Sequence, residues 1–117
     1  MGRFVKGDVV VLPFPFSDLS AGKRRPALVI APLQTHQDVI LCMITSQTRD
    51  GDAIPLLASD FREGSLPRDS FIRPNRLFTA DGGIILRVAG KITQEKMNAV
   101  VEKLIEIISN GENTSVG

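Results

Sequence analysis

The sequence predicts a mainly β domain, a small barrel closed by one C-terminal helix. Short segments rich in β-branched and apolar residues recur along the first 92 residues, separated by Gly, Pro, Asn and Asp. From Thr93 onward the apolar positions change to helical spacing. A chain of 117 residues is large enough to bury one core. We therefore expect a single domain over residues 1–110 and a polar, flexible tail over residues 111–117.

The first predicted strand is the β-branched segment Asp8–Leu12. The sequence Pro13-Phe14-Pro15-Phe16 follows it, and two alternating prolines are expected to forbid a regular ladder there, because proline donates no backbone hydrogen bond. Residues 17–22 are polar and contain glycine, which indicates a loop.

A dense basic cluster opens the second strand, within the segment Gly22–Ile30. Its members Lys23, Arg24 and Arg25 are uncompensated, since no Asp or Glu lies between residues 18 and 38. Arg25 precedes a proline and is therefore biased toward extended backbone. Strand alternation then places Lys23 and Arg25 on one face and Arg24 on the other. The sequence thus predicts an anion site at the entrance of a core strand.

A hairpin is predicted from two apolar runs around a polar loop, namely Ala27–Ala31, Pro32–Asp38 and Val39–Ile44. If the hairpin is symmetric about the middle of its loop, Ala31 lies opposite Val39 and Arg25 lies opposite Thr45. Paired side chains share a face, about 4.5 to 5.5 Å apart at Cβ. A slip of one residue would bring Ser46 to Arg25 instead and turn the partner to the other face.

The remaining short strands are predicted at Ala53–Leu57, Asp69–Arg73, Leu77–Thr79 and Leu86–Ile92. The helix is predicted to begin after Thr93, a good N-cap, with Glu95 in its first turn and Asn110-Gly111 as its stop. One helical face carries the apolar positions Met97, Val100, Val101, Leu104, Ile107 and Ile108.

Composition excludes several classes of function. One His and one Cys leave a metal site poorly supported, and no glycine-rich phosphate loop is present, so we expect neither a metal nor a cofactor. Cys42 lies in an apolar run and is expected to be buried and inert, and His36 is expected to be solvated in its loop. There is no stretch long enough to span a membrane and no leader, which favours a soluble, cytoplasmic protein.

The charge is unevenly distributed although the net charge is only +1. Residues 61–92 carry six basic and three acidic side chains, whereas residues 31–60 carry one basic and four acidic ones. A surface patterned in this way is able to bind a polyanion on one side, although charge counts alone favour solvated loops.

The pair Arg25 and Thr45 has two interpretations. The arginine caps a carbonyl beside an ordinary strand threonine, or both side chains bind an oxyanion. Neighbouring groups suited to a phosphodiester favour the second, and they are Lys23, Arg24, Ser46, Gln47, Arg68, Ser70 and Arg73. Phe14 and Phe16 flank this region and either stack on unpaired bases or belong to a core or dimer interface.

The order of five segments resembles the MazF/PemK toxins of bacterial toxin-antitoxin systems. These segments are Gly7–Val10, Lys23–Ile30, Ile44–Gln47, Arg68–Ile72 and Gly90–Thr93. The resemblance spans nearly the whole chain, and it implies an SH3-like barrel of the CcdB/MazF/PemK type with a C-terminal helix. It further implies a homodimer that cleaves single-stranded RNA at short sequences without metal, through attack by the ribose 2′-hydroxyl. Arg25 and Thr45 are the residues to which the resemblance assigns catalysis.

The resemblance also implies an acidic antitoxin partner, which we expect to cover Arg25. Two features depart from the family pattern. Ser20-Ala21-Gly22 stands where an acidic residue is frequent, and Phe78 stands where many members carry arginine before Thr79, with Arg76 two residues earlier. Two alternatives remain. One is a gyrase poison of the CcdB type, although that mode needs an apolar, Trp-bearing helix end and this chain has no Trp. The other is a non-catalytic RNA-binding or interaction module.

Overall fold

The computed structural model describes residues 4–14, 23–34 and 37–110, and the structural statements below concern those residues. They form seven strands, one α-helix and two single-turn 3-10 helices. The elements are β1 (Asp8–Phe14), β2 (Lys23–Pro32), β3 (Asp38–Thr45), β4 (Ile54–Leu56), β5 (Phe61–Gly64), β6 (Ser70–Asp81), β7 (Arg87–Ile92) and α1 (Gln94–Asn110). The predicted tail 111–117 lies outside the described residues.

All seven strands belong to one antiparallel sheet, in the order β4-β6-β3-β2-β1-β7-β5. The sheet is curled into a half-barrel, and α1 packs against one of its faces. The predicted fold class, mainly β with a C-terminal helix, is confirmed. Strands β4 and β7 lie within one residue of their predicted bounds at each end.

Both faces of the sheet are apolar. Successive strand residues point to opposite sides, so a strand whose consecutive residues are all apolar contributes to both faces. Under α1 lie Val9, Leu28, Cys42, Ile44, Leu56, Ile72 and Ile92, packed against Met97, Val100 and Leu104. The opposite face buries Val10, Leu12, Ala27, Val29, Val39, Leu41 and Ala80 beneath Phe4, Phe78, Ile84 and Ile85. Burial on both sides explains why these strands read as nearly continuous apolar runs.

The helix begins where the sequence predicts. The hydroxyl of Thr93 accepts a hydrogen bond from the backbone N–H of Lys96 at 3.2 Å, which is the expected N-cap geometry. The buried stripe ends at Leu104, whereas Ile108 is 67% exposed. The apolar spacing of the sequence therefore continues beyond the part of the helix that the sheet covers.

The prediction that the prolines after Leu12 forbid a regular ladder is wrong for the first of them. Strand β1 continues to Phe14, with Pro13 opposite Arg24 and Phe14 opposite Lys23. Strand β7 pairs with β1 only as far as Val11. Pro13 thus lies where β1 has a single neighbour, and a missing backbone donor is tolerated at such an edge.

The central hairpin contains a bulge that the sequence does not predict. Near its open end the register is the predicted one, with the pairs Ala27–Met43, Leu28–Cys42 and Val29–Leu41. Ile30 is then an extra residue, so Ala31 lies opposite Ile40 rather than Val39. The prediction of an Ala31–Val39 pair is wrong, because the bulge shifts the ladder by one residue toward the loop.

Two strands predicted separately, Asp69–Arg73 and Leu77–Thr79, are parts of the single strand β6. The residues between them form a bulge of three, Pro74, Asn75 and Arg76. Arg73 pairs with Met43 of β3, and the next pair joins Leu77 to the adjacent residue Cys42, so the three residues of β6 in between have no partner on β3. Proline lacks the donor that a regular ladder would require, which accounts for the interruption.

Strand β5 is absent from the sequence prediction, because only Phe61 in its sequence Phe-Arg-Glu-Gly is apolar. It is held by a close approach to β7. Gly64 has a φ of +70°, and a Cβ there would lie 2.2 Å from the carbonyl oxygen of Ala89. A Cβ on Gly90 would lie 2.5 Å from the carbonyl oxygen of Glu63. Glycine is therefore required on both strands.

Candidate functional site

A cleft of about 500 Å³ opens at the end of the sheet where β2 begins and β3 ends. The described residues that line it are Phe14, Lys23, Arg25, Met43, Ile44, Thr45, Arg73 and Arg76. Four of these eight side chains are cationic and none is acidic. The four cations come from β2 and β6, on either side of β3.

The hairpin register brings Arg25 and Thr45 to this cleft. The ladder between β2 and β3 stops at the pair Ala27–Met43, and Arg25 and Thr45 each lie two residues beyond that pair, within their strands. Residues two apart share a face of a strand. Arg73 lies directly opposite Met43 on the next strand, so it reaches the same face.

A second cleft, of about 300 Å³, shares a wall with the first. It is lined by Arg24, Arg25, Pro26, Ile44, Thr45, Ser46, Leu66, Pro67, Arg68 and Ser70. Arg25, Thr45 and Ile44 line both clefts. Arg25 and Thr45 consequently stand at the boundary between two cavities that carry additional cations.

The other sequence-predicted site residues divide between the clefts. Lys23 lines the first, and Arg24, Ser46 and Ser70 line the second, so Lys23 and Arg24 are separated as strand alternation predicts. Gln47 lines neither cleft and is exposed. The candidates Phe16 and His36 lie outside the described residues.

The hydroxyl of Thr45 already has partners within its own turn. It donates to the carbonyl oxygen of Gln47 at 3.0 Å, and the backbone N–H of Gln47 approaches it at 3.4 Å. These contacts fix the orientation of the side chain at the rim. The hydroxyl must rotate its proton away from Gln47 before it donates to a bound oxyanion.

Ser70 is nearly buried, at 5% exposure, and its hydroxyl donates to the carbonyl oxygen of Arg68 at 3.0 Å. Its proton is therefore committed to the loop that precedes β6. Ser70 thus lines the second cleft with its hydroxyl held against the backbone of Arg68.

Asp50 is a site-associated residue that the sequence analysis does not single out. Its Oδ2 accepts hydrogen bonds from Arg73 Nε at 3.3 Å and from Arg73 Nη2 at 3.1 Å. A hydrogen bond from the backbone N–H of Asp52 lowers the pKa of the Asp50 carboxyl, and the side chains of Asn75 and Arg73 lower it further. No sequence pattern joins Asp50 to Arg73, because 23 residues separate them.

The other cations of the first cleft have no counterion among the described residues. Within the described ranges, no ion pair involves Lys23, Arg25 or Arg76. Lys23, Arg25 and Arg76 are also exposed. The cleft is thus a positively charged cavity with unused guanidinium donors, which is the arrangement that binds phosphate oxygens in parallel pairs of hydrogen bonds.

An aromatic pair lies at one end of the first cleft. The ring of Phe14 lies 6.1 Å from that of Phe78, centroid to centroid, with the planes tilted by 52°. Phe14 also lines the cleft and is half-buried. An apolar surface beside a basic wall is suited to a ligand with both flat rings and negative charge.

The described residues do not support a cysteine nucleophile or a metal site. Cys42 is buried, and burial raises the pKa of its thiol to about 12, so no thiolate is available as a nucleophile. Across residues 4–14, 23–34 and 37–110, no group of three or more His, Cys, Asp and Glu side chains is placed to hold a metal ion.

In the same ranges, no helix combines the length and apolarity needed to cross a membrane.

Known proteins share the sequence family and the fold of this chain. The family model described as "PemK-like, MazF-like toxin of type II toxin-antitoxin system" matches residues 5–108. The chain belongs to this toxin family. A comparison with curated proteins finds no match.

Solved structures share the fold. An endoribonuclease in complex with its cognate antitoxin, from a mycobacterial species, superposes with a TM-score of 0.71 at 16% identity, over 93% of this chain and 96% of that chain. The MazE-MazF structure from Deinococcus radiodurans gives 0.68 at 20% identity, over 90% and 94%. Mycobacterium tuberculosis toxin MazF-mt6 gives 0.66 at 17%, over 87% and 96%.

Two segments that carry the family resemblance have structural roles. Gly7 has a φ of +98°, and the carboxylate of Asp8 accepts from the backbone N–H of Val5 at 3.0 Å and lies 3.5 Å from the ammonium of Lys91. Gly90 permits the close contact of β5 with β7. The segments Gly7–Val10 and Gly90–Thr93 thus organise the sheet, whereas Lys23–Ile30, Ile44–Gln47 and Arg68–Ile72 supply the two clefts.

Proposed function

We propose that this toxin is an endoribonuclease that cleaves single-stranded RNA at short sequences without a metal ion. The observation that supports this proposal is that Arg25 and Thr45 line both clefts at their common wall, among further cations. A single RNA strand that passes from one cleft to the other would present a phosphodiester at that wall.

The proposed reaction is an internal transesterification. The ribose 2′-oxygen attacks the adjacent phosphorus, a bond from O2′ to phosphorus forms, and the bond from phosphorus to O5′ breaks. The 2′-hydroxyl loses its proton and the departing O5′ gains one. The products are a 2′,3′-cyclic phosphate and a free 5′-hydroxyl, so the nucleophile comes from the substrate itself.

Arg25 would stabilise the charge that develops during this step. Negative charge accumulates on the non-bridging phosphate oxygens as O2′ attacks, and a preorganised donor contributes most where that charge is largest. A guanidinium presents five N–H donors and no acceptor. Its role is therefore electrostatic, and it does not abstract the 2′ proton.

Thr45 would donate a hydrogen bond from its hydroxyl to the same phosphate, in place of the bond that it donates to the carbonyl oxygen of Gln47. Lys23 and Arg76 in the first cleft, and Arg24 with Ser46 and Ser70 in the second, would bind the flanking nucleotides. Because such contacts neutralise phosphates, binding of RNA is expected to weaken as salt increases.

We further propose that the protein acts as a homodimer and that an acidic antitoxin segment inhibits it by covering Arg25. The mycobacterial endoribonuclease named above is in complex with its cognate antitoxin, and the Deinococcus structure contains MazE together with MazF. An exposed guanidinium without an ion pair in the described part of the chain is a suitable contact for a carboxylate. Affinity that does not change between low and high salt would argue for a mainly apolar interface instead.

Purified protein incubated with a long single-stranded RNA in EDTA tests the proposed activity. Discrete fragments that end in a 2′,3′-cyclic phosphate support the nuclease. Binding without fragments would indicate a non-catalytic RNA-binding module. In a separate assay with DNA gyrase, stalling of the gyrase by a protein that does not cleave RNA would indicate a poison of the CcdB type. Binding without cleavage and gyrase stalling without cleavage would each refute the proposal.

A further inference from the structure

Asp50 holds one of the cations of the first cleft without lining the cleft itself. Its Oδ2 accepts from two nitrogens of Arg73, at 3.1 and 3.3 Å, and Arg73 lines the cleft. We propose that Asp50 is a positioning residue that fixes the guanidinium of Arg73, so that Arg73 binds a second phosphate of the strand held at Arg25. This inference rests on the proposed function and assigns a role within it.

Arg73 has N–H groups that Asp50 does not use and that are able to bind this phosphate. A guanidinium carries five N–H groups. The carboxylate of Asp50 uses the one on Nε and one of the two on Nη2. The other N–H of Nη2 and both on Nη1 remain, and two of them point in parallel along the outer edge of the guanidinium. This is the geometry that binds a phosphate through two hydrogen bonds.

The carboxylate of Asp50 is itself held rigidly. Its Oδ1 accepts from the backbone N–H of Asp52 at 2.9 Å, and its own backbone N–H donates to the hydroxyl of Thr48 at 3.0 Å. Only 13% of its side chain is exposed. A carboxylate fixed by its own turn restricts the rotamers of the long arginine side chain, and this reduces the entropy lost on binding a phosphate.

Asp50 also contacts the bulge of β6. The backbone N–H of Asp52 lowers the pKa of the Asp50 carboxyl, and the side chains of Asn75, a residue of the bulge, and of Arg73 lower it further. Arg76 completes the bulge and lines the cleft. The Asp50 carboxylate therefore lies next to the backbone that carries both Arg73 and Arg76.

Arg25 and Arg73 are spaced for different phosphates. They lie on β2 and β6, with β3 between them. Neighbouring strands are about 4.8 Å apart, so the two backbones are about 10 Å apart. An RNA strand that contacts both arginines therefore runs across the strands of the sheet rather than along one of them.

Two hypotheses for the role of Asp50 predict opposite effects when its carboxylate is removed. In one it acts only through its charge, and in the other it orients Arg73. The carboxylate cancels part of the positive charge of Arg73, so its removal increases the net positive charge near the cleft. If charge alone matters, Asp50→Asn binds RNA more tightly and cleaves it at least as well. If Asp50 positions Arg73, turnover falls although the cleft is more positive.

The test is steady-state cleavage of a short RNA that contains one cleavage site. We expect Asp50→Asn to lower kcat about tenfold without raising KM, because the contact with a remote phosphate serves to orient the reacting one, and the added positive charge offsets the lost affinity. Asp52→Asn is the matched control. Asp52 loses the same charge two residues away, but its side chain is 46% exposed and pairs only loosely with Lys103, at 3.9 Å. We expect the control to cleave like the wild type, and wild-type turnover in Asp50→Asn overturns the inference.

A double-mutant cycle separates positioning from general damage. In an Arg73→Ala background, Asp50→Asn should lower kcat by less than about twofold, because the residue through which it acts is absent. An equal loss in both backgrounds overturns the inference. Should Asp50→Asn unfold, Arg73→Lys is the second variant, since it keeps the charge and lacks the planar fork. It should show the same loss of turnover, and wild-type turnover in that variant overturns the inference.

A measurement without cleavage keeps this inference distinct from the proposed function. If the wild-type protein cuts no RNA, the proposed function fails, and the Nε–H signal of Arg73 in ¹⁵N NMR decides the role of Asp50. We expect this signal to be protected from exchange in the wild type and to shift when a single-stranded DNA oligonucleotide is added. Asp50→Asn should lose the protection, and equal protection in both proteins overturns the inference.

Discussion

The hydroxyl of Thr45 donates a hydrogen bond to the carbonyl oxygen of Gln47, two residues further along the chain and 3.0 Å away. This bond holds the side chain at the wall shared by the two clefts. Since the proposed role of Thr45 needs the hydroxyl rather than the methyl group, Thr45→Val should lower kcat for RNA cleavage at least about tenfold. Thr45→Ser should retain most activity, and a valine variant as active as the wild type would remove Thr45 from the mechanism.

Arg25 is expected to contribute more than Thr45. If it stabilises the charge on the phosphate oxygens, Arg25→Ala should lower kcat on the order of a hundredfold or more, as removal of an oxyanion donor does. Arg87→Ala removes the same charge from an exposed position on β7 that lines neither cleft and should leave kcat unchanged. Comparable losses in the two variants would show that the total charge matters rather than the position of Arg25.

The stability of the protein should depend on pH through Asp50. The pKa of its carboxyl is lowered by the backbone N–H of Asp52 and then by Asn75 and Arg73. A lowered pKa in the folded state adds stability above the ordinary carboxyl pKa of about 4, and that stability is lost as the pH falls through the folded-state value. Urea unfolding should therefore separate wild type from Asp50→Asn at pH 7 more than at pH 3. The same separation at both values would contradict this account.

Cys42 should be unreactive in the folded protein. It is fully buried beneath α1, and the pKa of its thiol is raised to about 12 by burial. The thiolate fraction at pH 8 is then negligible. A thiol reagent such as DTNB should label it only after the protein is unfolded, and rapid labelling under native conditions would mean that the helix opens readily.

The core under the helix should be sensitive to the loss of Leu28. This side chain is fully buried and packs in the cluster that contains Cys42 and Met97. Leu28→Ala should lower the free energy of unfolding by about 2 to 5 kcal/mol. Leu86→Ala is the matched control, because Leu86 is 50% exposed, and it should change the free energy by less than about 0.5 kcal/mol. Equal effects in chemical denaturation would contradict the burial described above.

The central hairpin shows how far the sequence predicts the site. Loop symmetry was enough to set the register near the open end, where Ala27 pairs with Met43, because the apolar runs on both sides of the loop have matching faces. The bulge at Ile30 lies closer to the loop and leaves no mark in the sequence, since it only adds one apolar residue to an apolar run. It shifts the pairs near the loop, whereas the predicted register holds at the open end as far as the pair Ala27–Met43, where the ladder stops.

Contacts between distant segments were not predictable. Strand β5 is held by the approach of Gly64 to β7, which no periodicity records. The ion pair of Asp50 with Arg73 depends on a bulge in β6 and on a turn 23 residues earlier. Local patterns report which face a residue occupies, whereas these contacts depend on where two segments meet in space.

The bulge at Pro74, Asn75 and Arg76 keeps the two halves of β6 in phase. It inserts three residues at a step where β3 advances by one, so Arg73 and Leu77 point to opposite faces as adjacent strand residues do. Deletion of all three would remove Arg76 and the ring of Pro74 while every later side chain kept its face. Evolution is thus able to gain or lose this triplet, and the cation of Arg76 with it, as a unit without changing the faces of the sheet.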